Sequence, residues 1–493
     1  MPSAATQVDD ARGRPDPGGI PIRTILLGVA GVMLVALGGS GAGAILKQDP
    51  LLTDTSLSWI RYGHGRDLAT AVLYLGLALV IWAWVRLGRM VRNRHVGSNA
   101  VLTAVVAWTL PLLFAPPLFS KDIYSYLAQG QLALNGLDPY AVGPAVLQSS
   151  LSDNVSWVWQ NTPAPYGPFF MMLAEGVVWA TGASVIGGVV LMRLVLAAGL
   201  ALVCWALPGL ARHLGGTPAV ALWLAAANPL VLVHLIGGAH NDMLMVGLLA
   251  AGTLFVLDRR HVLGVAVVTL AFAVKATAVV ALPFLVLVWA RRLTGTRRAQ
   301  LVKAIAGGVA VFTAVFTGCT VVAGLDLGWI PALSTSSTIV NWLSVPTAIG
   351  DFAHTLASGF VQVEPDWFLT VARGIGSLLL VFIAWRQWRA ADDGGPEAVR
   401  RAAITMLAVA LLSPATLPWY FSWTLVLAAG LAWTAGGLRA VAFFSVFLLL
   451  VTFPNGDTAL YSWGYLVFAV GASALAAVTV LTPDPLRLSS RYT

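Results

Sequence analysis

The sequence predicts an all-α protein that crosses a membrane many times, with about 13–14 transmembrane helices. Of its 493 residues, 58% are hydrophobic and 10% are charged, whereas soluble proteins carry roughly 25% charged residues. Apolar runs of about 20 residues, the length that spans a bilayer as a helix, recur from Ile25 to Leu481. Both cysteines, Cys204 and Cys319, lie in such runs, so we expect no structural disulfide.

The first part of the chain sets the orientation. Residues 1–20 are rich in Pro, Gly and Asp, and we expect a disordered cytoplasmic tail there. It does not resemble a signal peptide, because the apolar run that follows is long and has no cleavage signal. Three spans are predicted next, at about 25–45, 68–85 and 101–118. The arginine cluster at 86–94 lies between the second and the third, and the positive-inside rule places it in the cytoplasm. The third span therefore delivers residues 119–168 to the outer face.

Basic residues recur through the rest of the chain and orient the remaining spans, with both termini in the cytoplasm. We expect a single membrane domain at 21–485, followed by a short cytoplasmic tail at 486–493. The segment 261–290 is too short for two full spans at about 1.5 Å per residue, so we expect two short helices that meet at Lys275. The segment 166–212 must cross the membrane an odd number of times, and we expect one span plus a re-entrant helix.

Residues 119–168 form a long polar and aromatic stretch, and we expect the reaction site there. The stretch combines charged residues with four tyrosines and two tryptophans, and its prolines prevent a long helix. Asp122 and Tyr126 are four residues apart, so they share one face of a short helix. Ser120 is the predicted N-cap of that helix.

The sequence lacks the motifs of the commonest ATP-driven and redox proteins. It contains no Gly-rich phosphate loop, no dinucleotide-binding fingerprint and no Cys/His metal cluster. The net charge of +8 comes mostly from arginines in short loops, which set orientation and do not indicate nucleic-acid binding. An enzyme that acts on a lipid substrate, a secondary transporter or flippase of a lipid-linked sugar, and a scaffold remain. A transporter should place its ionisable residues near the bilayer midplane, on broken helices in repeated halves. No internal repeat is apparent, and we expect the candidate functional groups at outward tips around residues 119–168, so the enzyme is favoured.

Four motifs occur in order between Leu118 and Trp423: LFSKDIYSYLAQGQLALNGLDPYAVGP, TPAPYGP, NPLVLVHLIGGAHNDMLM and LSPATLPWYFSW. Together they resemble the actinobacterial polyprenol-phosphate-mannose-dependent α-1,6-mannosyltransferases, polytopic enzymes with the GT-C fold. The resemblance implies a polyprenyl-phosphate-mannose donor and an α-1,6-mannan acceptor on a phosphatidylinositol-mannoside-type glycolipid. The mannan is the backbone of lipomannan and lipoarabinomannan. It also implies a location in the cytoplasmic membrane, among its lipids, with the active site on the outer face.

The resemblance implies that Asp122 is the general base toward the acceptor hydroxyl. Attack on the anomeric carbon from the face opposite the phosphate would invert a β-linked donor into an α-linked product. One carboxylate is sufficient, because a leaving phosphate needs no strong acid. The alternative is that Asp122 only occupies a helix start, where Asp is common. Asp122 and Asp242 could also hold a divalent cation, Mg²⁺ or Mn²⁺, against the phosphate.

A leaving phosphate requires a cationic or hydrogen-bond-donating partner. The candidates are Lys121, Arg193, His240 and Lys275. Asn241 and Asp242 follow His240 directly, and this triplet is either part of the site or a polar turn between two spans. Lys275 lies in an apolar run, where a charge costs roughly 2.5–3.5 kcal/mol, so it either faces the phosphate or snorkels to an interface. Arg193 either contacts the phosphate or pairs with Glu175.

Aromatic residues in the outer segments are candidates for stacking on the sugar. Tyr126, Tyr166, Trp419 and Tyr420 are singled out because they lie inside the four motifs. The alternative is that Trp and Tyr gather at membrane interfaces whatever the protein does. We expect His234 to be a packed helix residue.

The orientation leads to a labelling prediction. Cysteines introduced at Gln148 or Asn161 should react with a membrane-impermeant thiol reagent in intact cells, and a cysteine at Asn93 should not, because one span separates the arginine cluster from the outer loop. Reaction at position 93 would invert the topology and remove residues 119–168 from the outer face.

Overall fold

The computed structural model describes residues 19–47, 49, 52–53, 55–360, 364–391 and 394–482. The tails predicted at 1–20 and 486–493 fall outside these residues, apart from residues 19 and 20. Within the described part, regular structure is helical, with two isolated β-bridges at Gly215–Leu431 and Thr452–Thr458. The predicted all-α class is therefore confirmed.

A bend separates residues 231–237 from residues 242–257, and the helices before it, which include those of residues 119–168, form the first half of the bundle. In order they are α1 (Ile22–Ala42), a 3-10 turn (Ser58–Arg61), α2 (Gly63–Arg92), α3 (Ser98–Leu113), α4 (Asp122–Leu134), a 3-10 turn (Pro144–Leu147), α5 (Ser150–Asp153), a 3-10 turn (Trp157–Trp159), α6 (Pro168–Thr181), α7 (Val185–Leu214), α8 (Pro218–Leu224) and a π-helix (Val231–Gly237).

The helices after the bend complete the bundle. In order they are α9 (Asp242–Leu257), α10 (His261–Val274), a 3-10 helix (Ala276–Ala281), α11 (Leu282–Ala290), α12 (Arg297–Val322), α13 (Trp329–Ala332), a 3-10 helix (Leu333–Thr338), α14 (Val345–Ser358), α15 (Pro365–Ala390), α16 (Pro396–Leu412), a 3-10 turn (Pro418–Tyr420), α17 (Phe421–Ala428), α18 (Ala435–Leu450) and α19 (Trp463–Thr479).

Several of these helices are long and apolar enough to cross a membrane. By length and composition the described chain contains 5 of them, namely α1, α2, α7, α12 and α15, or 6 if the π-helix and α9 count as one broken span. Six shorter apolar helices of 10–17 residues accompany them. The chain is thus a multi-pass membrane protein, and the predicted total of about 13–14 spans stays a prediction.

Two irregular segments were anticipated by length. The segment 261–290 is broken at Lys275, as predicted: α10 ends at Val274, and a 3-10 helix that continues into α11 begins at Ala276. The segment 166–212 contains a 14-residue helix followed by a 30-residue helix, and the chain turns between them at Gly182, whose φ of 57° suits glycine. One short and one long helix are compatible with the expected single span plus a re-entrant helix, and whether α6 is re-entrant stays a prediction.

Close helix packing fixes the position of α9. α7 and α9 touch at glycines: a Cβ atom on Gly247 of α9 would overlap the backbone of Gly199 of α7, and a Cβ atom on Gly199 would overlap the backbone of Met243 and Leu244 of α9. Lipid tails provide no hydrophobic force that would push membrane helices together, so helix association depends on close packing. Small residues at the contact allow that close approach. This contact sets the height of α9, whose first residue is Asp242.

Residues 119–168 fold against the bundle. α4 begins at Asp122, and the Ser120 hydroxyl accepts the Asp122 N–H at 3.1 Å. The predicted short helix is therefore present, but its N-cap residue is Lys121 and not Ser120 as predicted; Ser120, one residue earlier, accepts the N–H of the first helical residue. Gly130 of α4 lies directly on the backbone of α6 at Ala174, which holds the helix flat against the spans.

Candidate active site

Asp122 lies where three segments of the chain meet. The Phe119 N–H donates to the Pro454 carbonyl at 2.8 Å, and the Leu118 N–H donates to the Gly237 carbonyl at 3.3 Å. Phe119 has a φ of 63°, a left-handed conformation that a bulky residue adopts only where its surroundings require it. The segment after α18 and the end of the π-helix therefore fix the start of α4.

His240 is the nearest titratable neighbour of Asp122. Its Nδ1 atom lies 3.3 Å from Asp122 Oδ2, and the imidazole is completely buried. The ring stacks on Trp419 with centroids 3.5 Å apart and planes 20° from parallel. Because Asp122 keeps 21% of its side chain exposed, one carboxylate group is both held by His240 and open to a cavity.

The surroundings of Asp122 keep it ionised. Burial raises the pKa of its carboxyl group, but the contact with His240, the positive charge of Lys275 and the Ser120 hydroxyl lower that pKa by more. The pKa therefore lies below its ordinary value. An ionised carboxylate with one oxygen on an imidazole and solvent access can accept a proton from a bound hydroxyl group.

Asp242 is the second carboxylate of the site. It follows His240 and Asn241 in the chain and is enclosed by its neighbours. Its oxygens accept hydrogen bonds from Lys275 Nζ at 2.8 and 2.9 Å and from Trp423 Nε1 at 2.6 Å, and its side chain is fully buried. Lys275 also lies over the rings of Tyr420 and Trp423 at 4.8 and 5.5 Å. These partners satisfy the Asp242 carboxylate, so Lys275 forms a buried ion pair and does not snorkel.

Trp419 and Tyr420 connect the two carboxylates. Trp419 stacks on His240, and Tyr420 stacks on Trp423 with ring centroids 4.0 Å apart. Sequence reasoning included the first pair of aromatic residues and missed Trp423. Its position three residues after Tyr420, on the same face of the following helix, was the signal that could have found it.

The other predicted aromatic residues lie beside this cluster. Tyr126 meets Tyr166 edge to face at 5.1 Å, and both contact Phe170 in the same manner. Asn241 is fully buried, and its side-chain amide has no hydrogen-bond partner among the described residues. His234 packs between Phe119 and Trp419 at 4.9 and 5.9 Å, consistent with the expected packing role.

A cavity of about 300 Å³ opens onto Asp122. Lys121 is exposed at its edge and is the single lysine or arginine among the described residues that line it. Polar groups and aromatic rings share the lining. Besides Lys121 and Asp122, the walls include Trp157, Trp159, Asn341, Trp342, Trp419, Asn455 and Asp457.

Arg193 lies apart from this cavity, which corrects the prediction that it contacts a phosphate or pairs with Glu175. Its guanidinium group is fully buried and donates to the carbonyl groups of Leu113, Ala115, Pro116, Ile236 and Gly237. Five neutral acceptors use its donors. Arg193 thus ties the segment that leads to Asp122 to the π-helix that leads to His240.

The described residues give no support to a metal bridge between Asp122 and Asp242. The Asp242 oxygens are directed at Lys275 and Trp423. Within the described ranges, no group of three or more His, Cys, Asp or Glu residues is arranged to hold a metal ion. The hydrogen bonds to Asp242 thus occupy the oxygens that a Mg²⁺ or Mn²⁺ ion shared with Asp122 would need.

Comparison with known proteins gives a consistent result along the chain. The family model described as alpha-(1->6)-mannopyranosyltransferase, N-terminal domain, matches residues 25–291, and the model described as MptB C-terminal domain matches residues 346–482. Alpha-(1->6)-mannopyranosyltransferase A of Mycobacterium tuberculosis is 43% identical, over 96% of this chain and 91% of that protein. The protein of the same name from Corynebacterium glutamicum is 33% identical, over 91% of this chain and 96% of that protein.

The chain also aligns with a solved structure. ArnT from Cupriavidus metallidurans, bound to undecaprenyl phosphate, is 18% identical and aligns with a TM-score of 0.39, over 80% of this chain and 72% of that chain.

The buried ion pair leads to a stability prediction. Lys275→Met should lower the free energy of unfolding by about 3–5 kcal/mol, because removing one partner leaves an uncompensated buried charge. The double variant Lys275→Met with Asp242→Asn should recover much of that loss. Thermal unfolding of the detergent-solubilised protein measures both.

The matched control for this pair lies on the surface. His213 and Asp258 are 2.6 Å apart, but their side chains are 37% and 45% exposed, so Asp258→Asn should cost only about 0–1 kcal/mol. Equal losses in Lys275→Met and Asp258→Asn would contradict the buried ion pair.

Proposed function

The chain belongs to the alpha-(1->6)-mannopyranosyltransferase family, and on that premise we propose that it moves mannose from a polyprenyl-phosphate-mannose donor to an α-1,6-mannan acceptor. The acceptor is carried by a phosphatidylinositol-mannoside-type glycolipid, and the reaction takes place at the outer face of the cytoplasmic membrane. The chain is then a polytopic glycosyltransferase of the GT-C type, with an inverting mechanism and both termini in the cytoplasm.

The observation that carries this proposal is the position of Asp122. It lines the 300 Å³ cavity and contacts His240 at the same time, whereas Asp242 is enclosed by its partners. A general base needs an ionised carboxylate, a route for substrate and a fixed orientation. Asp122 has all of these, and its depressed pKa supplies the ionised form.

The proposed step balances as a single displacement. The 6-hydroxyl group of the acceptor mannose loses its proton to Asp122, and its oxygen attacks the anomeric carbon of the donor mannose. The bond between that carbon and the phosphate oxygen breaks, and the polyprenyl phosphate leaves with the electron pair. Attack opposite the leaving group converts a β-linked donor into an α-linked product.

Lys121 is the residue that we assign to the donor phosphate. It lines the cavity next to Asp122 and is exposed there. Lys275, the other lysine considered from the sequence, already donates to both oxygens of Asp242. A neutralised ion pair attracts a phosphate less than a free ammonium group does. Lys275 therefore stabilises the inner cluster, which consists of Asp242, Lys275, Tyr420 and Trp423, and Lys121 binds the phosphate.

The aromatic residues have separate tasks in this proposal. Trp419 lines the cavity and stacks on His240, so a sugar that reaches Asp122 also passes the edge of Trp419. Tyr126 and Tyr166 pack on each other beside the start of α4 and support its orientation. Tyr420 extends over Lys275 and closes the inner cluster.

The substitution Asp122→Asn tests the proposal. The carboxamide keeps the size of the side chain but cannot take the proton, so mannosyl transfer should fall by roughly 10²–10⁴-fold, while the apparent KM for the donor should change little. The assay combines membranes, radiolabelled polyprenyl-phosphomannose and a short α-1,6-mannoside acceptor.

Asp153→Asn is the matched control, since Asp153 lies in the same outer loop but is exposed and does not line the cavity. It should retain transfer near the wild-type rate. Activity of Asp122→Asn within about threefold of wild type, a loss far below the range of general-base catalysis, would move the base elsewhere, with Asp457 the other carboxylate that lines the cavity. Movement of the donor across vesicles without a new glycosidic bond would instead favour a transporter.

A further inference from the structure

A second cavity lies between α2 and α19 and is not part of the site around Asp122. Its volume is about 480 Å³, and apolar side chains form most of its walls. The residues that matter for the argument are Leu77, Ile81 and Val85 of α2 and Phe468, Ala472 and Ala476 of α19. This α2–α19 groove has the shape and chemistry that receive a hydrocarbon chain.

Polar contacts lie at both ends of the groove. At one end Tyr74 donates to the Tyr465 hydroxyl at 3.1 Å, and Tyr465 donates to the Leu450 carbonyl at 2.7 Å. At the other end Arg89 donates to the Thr479 carbonyl at 3.3 Å. The tyrosine end satisfies its own hydrogen bonds, whereas the arginine end carries a charge.

The arginine end of the groove carries a cluster of positive charges. Arg86, Arg89 and Arg92 follow each other at intervals of three on the last turns of α2, and all are half-buried. Arg92 donates to the Leu481 carbonyl at 3.0 Å. The recorded partners of Arg89 and Arg92 are uncharged, and no ion pair among the described residues involves the three arginines. Their charge is therefore not neutralised within the described chain.

This end of the groove is remote from Asp122. α1 and α2 run antiparallel: Thr24 of α1 contacts Met90 of α2, and Ala44, just past α1, accepts a hydrogen bond from Tyr124 of α4. The intervening 21-residue helix is about 30 Å long. The groove thus opens near the opposite membrane surface, and a lipid held there does not occupy the sugar site.

We propose that the α2–α19 groove binds one anionic phospholipid of the leaflet at the arginine end. An acyl chain lies along Ile81 and Ala472, and the phosphate group meets Arg89 and its neighbours. Guanidinium groups form paired hydrogen bonds with phosphate oxygens, and basic pockets between membrane helices favour anionic headgroups. Arginines that only snorkel to set orientation would leave the groove open to any lipid, without preference for headgroup charge.

Thermal unfolding of the purified full-length chain tests the headgroup preference. Mixed micelles contain either phosphatidylglycerol or phosphatidylcholine with the same acyl chains. Phosphatidylglycerol should raise the Tm of the wild type above its value in phosphatidylcholine, because a ligand that binds the folded state stabilises it. The double variant Arg89→Gln with Arg92→Gln should lose at least half of that increment. Arg212→Gln, an exposed arginine in the last turn of α7, should retain it.

A second variant tests the chain-binding part and serves if the double variant does not fold. Ala472→Phe fills the groove, and it should abolish the phosphatidylglycerol increment while leaving the Tm in phosphatidylcholine near the wild-type value. An equal increment from both phospholipids, or an undiminished increment in either groove variant, would overturn the proposal. An arginine-dependent increment from undecaprenyl phosphate but not from phosphatidylglycerol would also overturn it, because it would assign the groove to a prenyl lipid.

Discussion

The 117° bend between the π-helix and α9 is the constraint on which the site depends. A broken helix inside a membrane protein leaves carbonyl groups without intrahelical partners, and they must be satisfied by neighbouring groups. Arg193 does this at Ile236 and Gly237, and the same guanidinium group also binds carbonyls of the segment after α3. One buried cation thereby stabilises the break and joins it to the segment that presents Asp122.

The bend gives two carboxylates different environments. His240 and Asp242 are two residues apart, yet His240 faces Asp122 while Asp242 faces Lys275. Asp122 remains 21% exposed and Asp242 is fully buried, so one is accessible to a substrate and the other organises the packing. The adjacent residues Trp419 and Tyr420 connect these environments, because Trp419 stacks on His240 and Tyr420 stacks on Trp423, the partner of Asp242.

Local sequence patterns anticipated the elements and could not anticipate the long-range pairings. The spacing around Asp122 predicted α4, and the short segment at 261–290 predicted the break at Lys275, since both depend on neighbours in the chain. The partner of Lys275 lies 33 residues away and Trp423 lies 181 residues from Asp242, so no periodicity encodes them. Arg193 was misassigned for the same reason: a buried arginine satisfied by carbonyl groups and one that meets a phosphate have the same local sequence.

The contact between His240 and Asp122 is tested most directly by the pH dependence of kcat for mannosyl transfer in His240→Gln. In the proposed mechanism Asp122 is the base and must be ionised, so the rate should fall as the pH falls through the pKa of Asp122. Without the imidazole, burial still raises that pKa and its main opposing contribution is gone, so the acid limb should move to higher pH. His234→Gln, which alters a buried histidine that packs on Phe119 and Trp419, should leave the limb in place. An acid limb at the wild-type pH in His240→Gln would contradict the account.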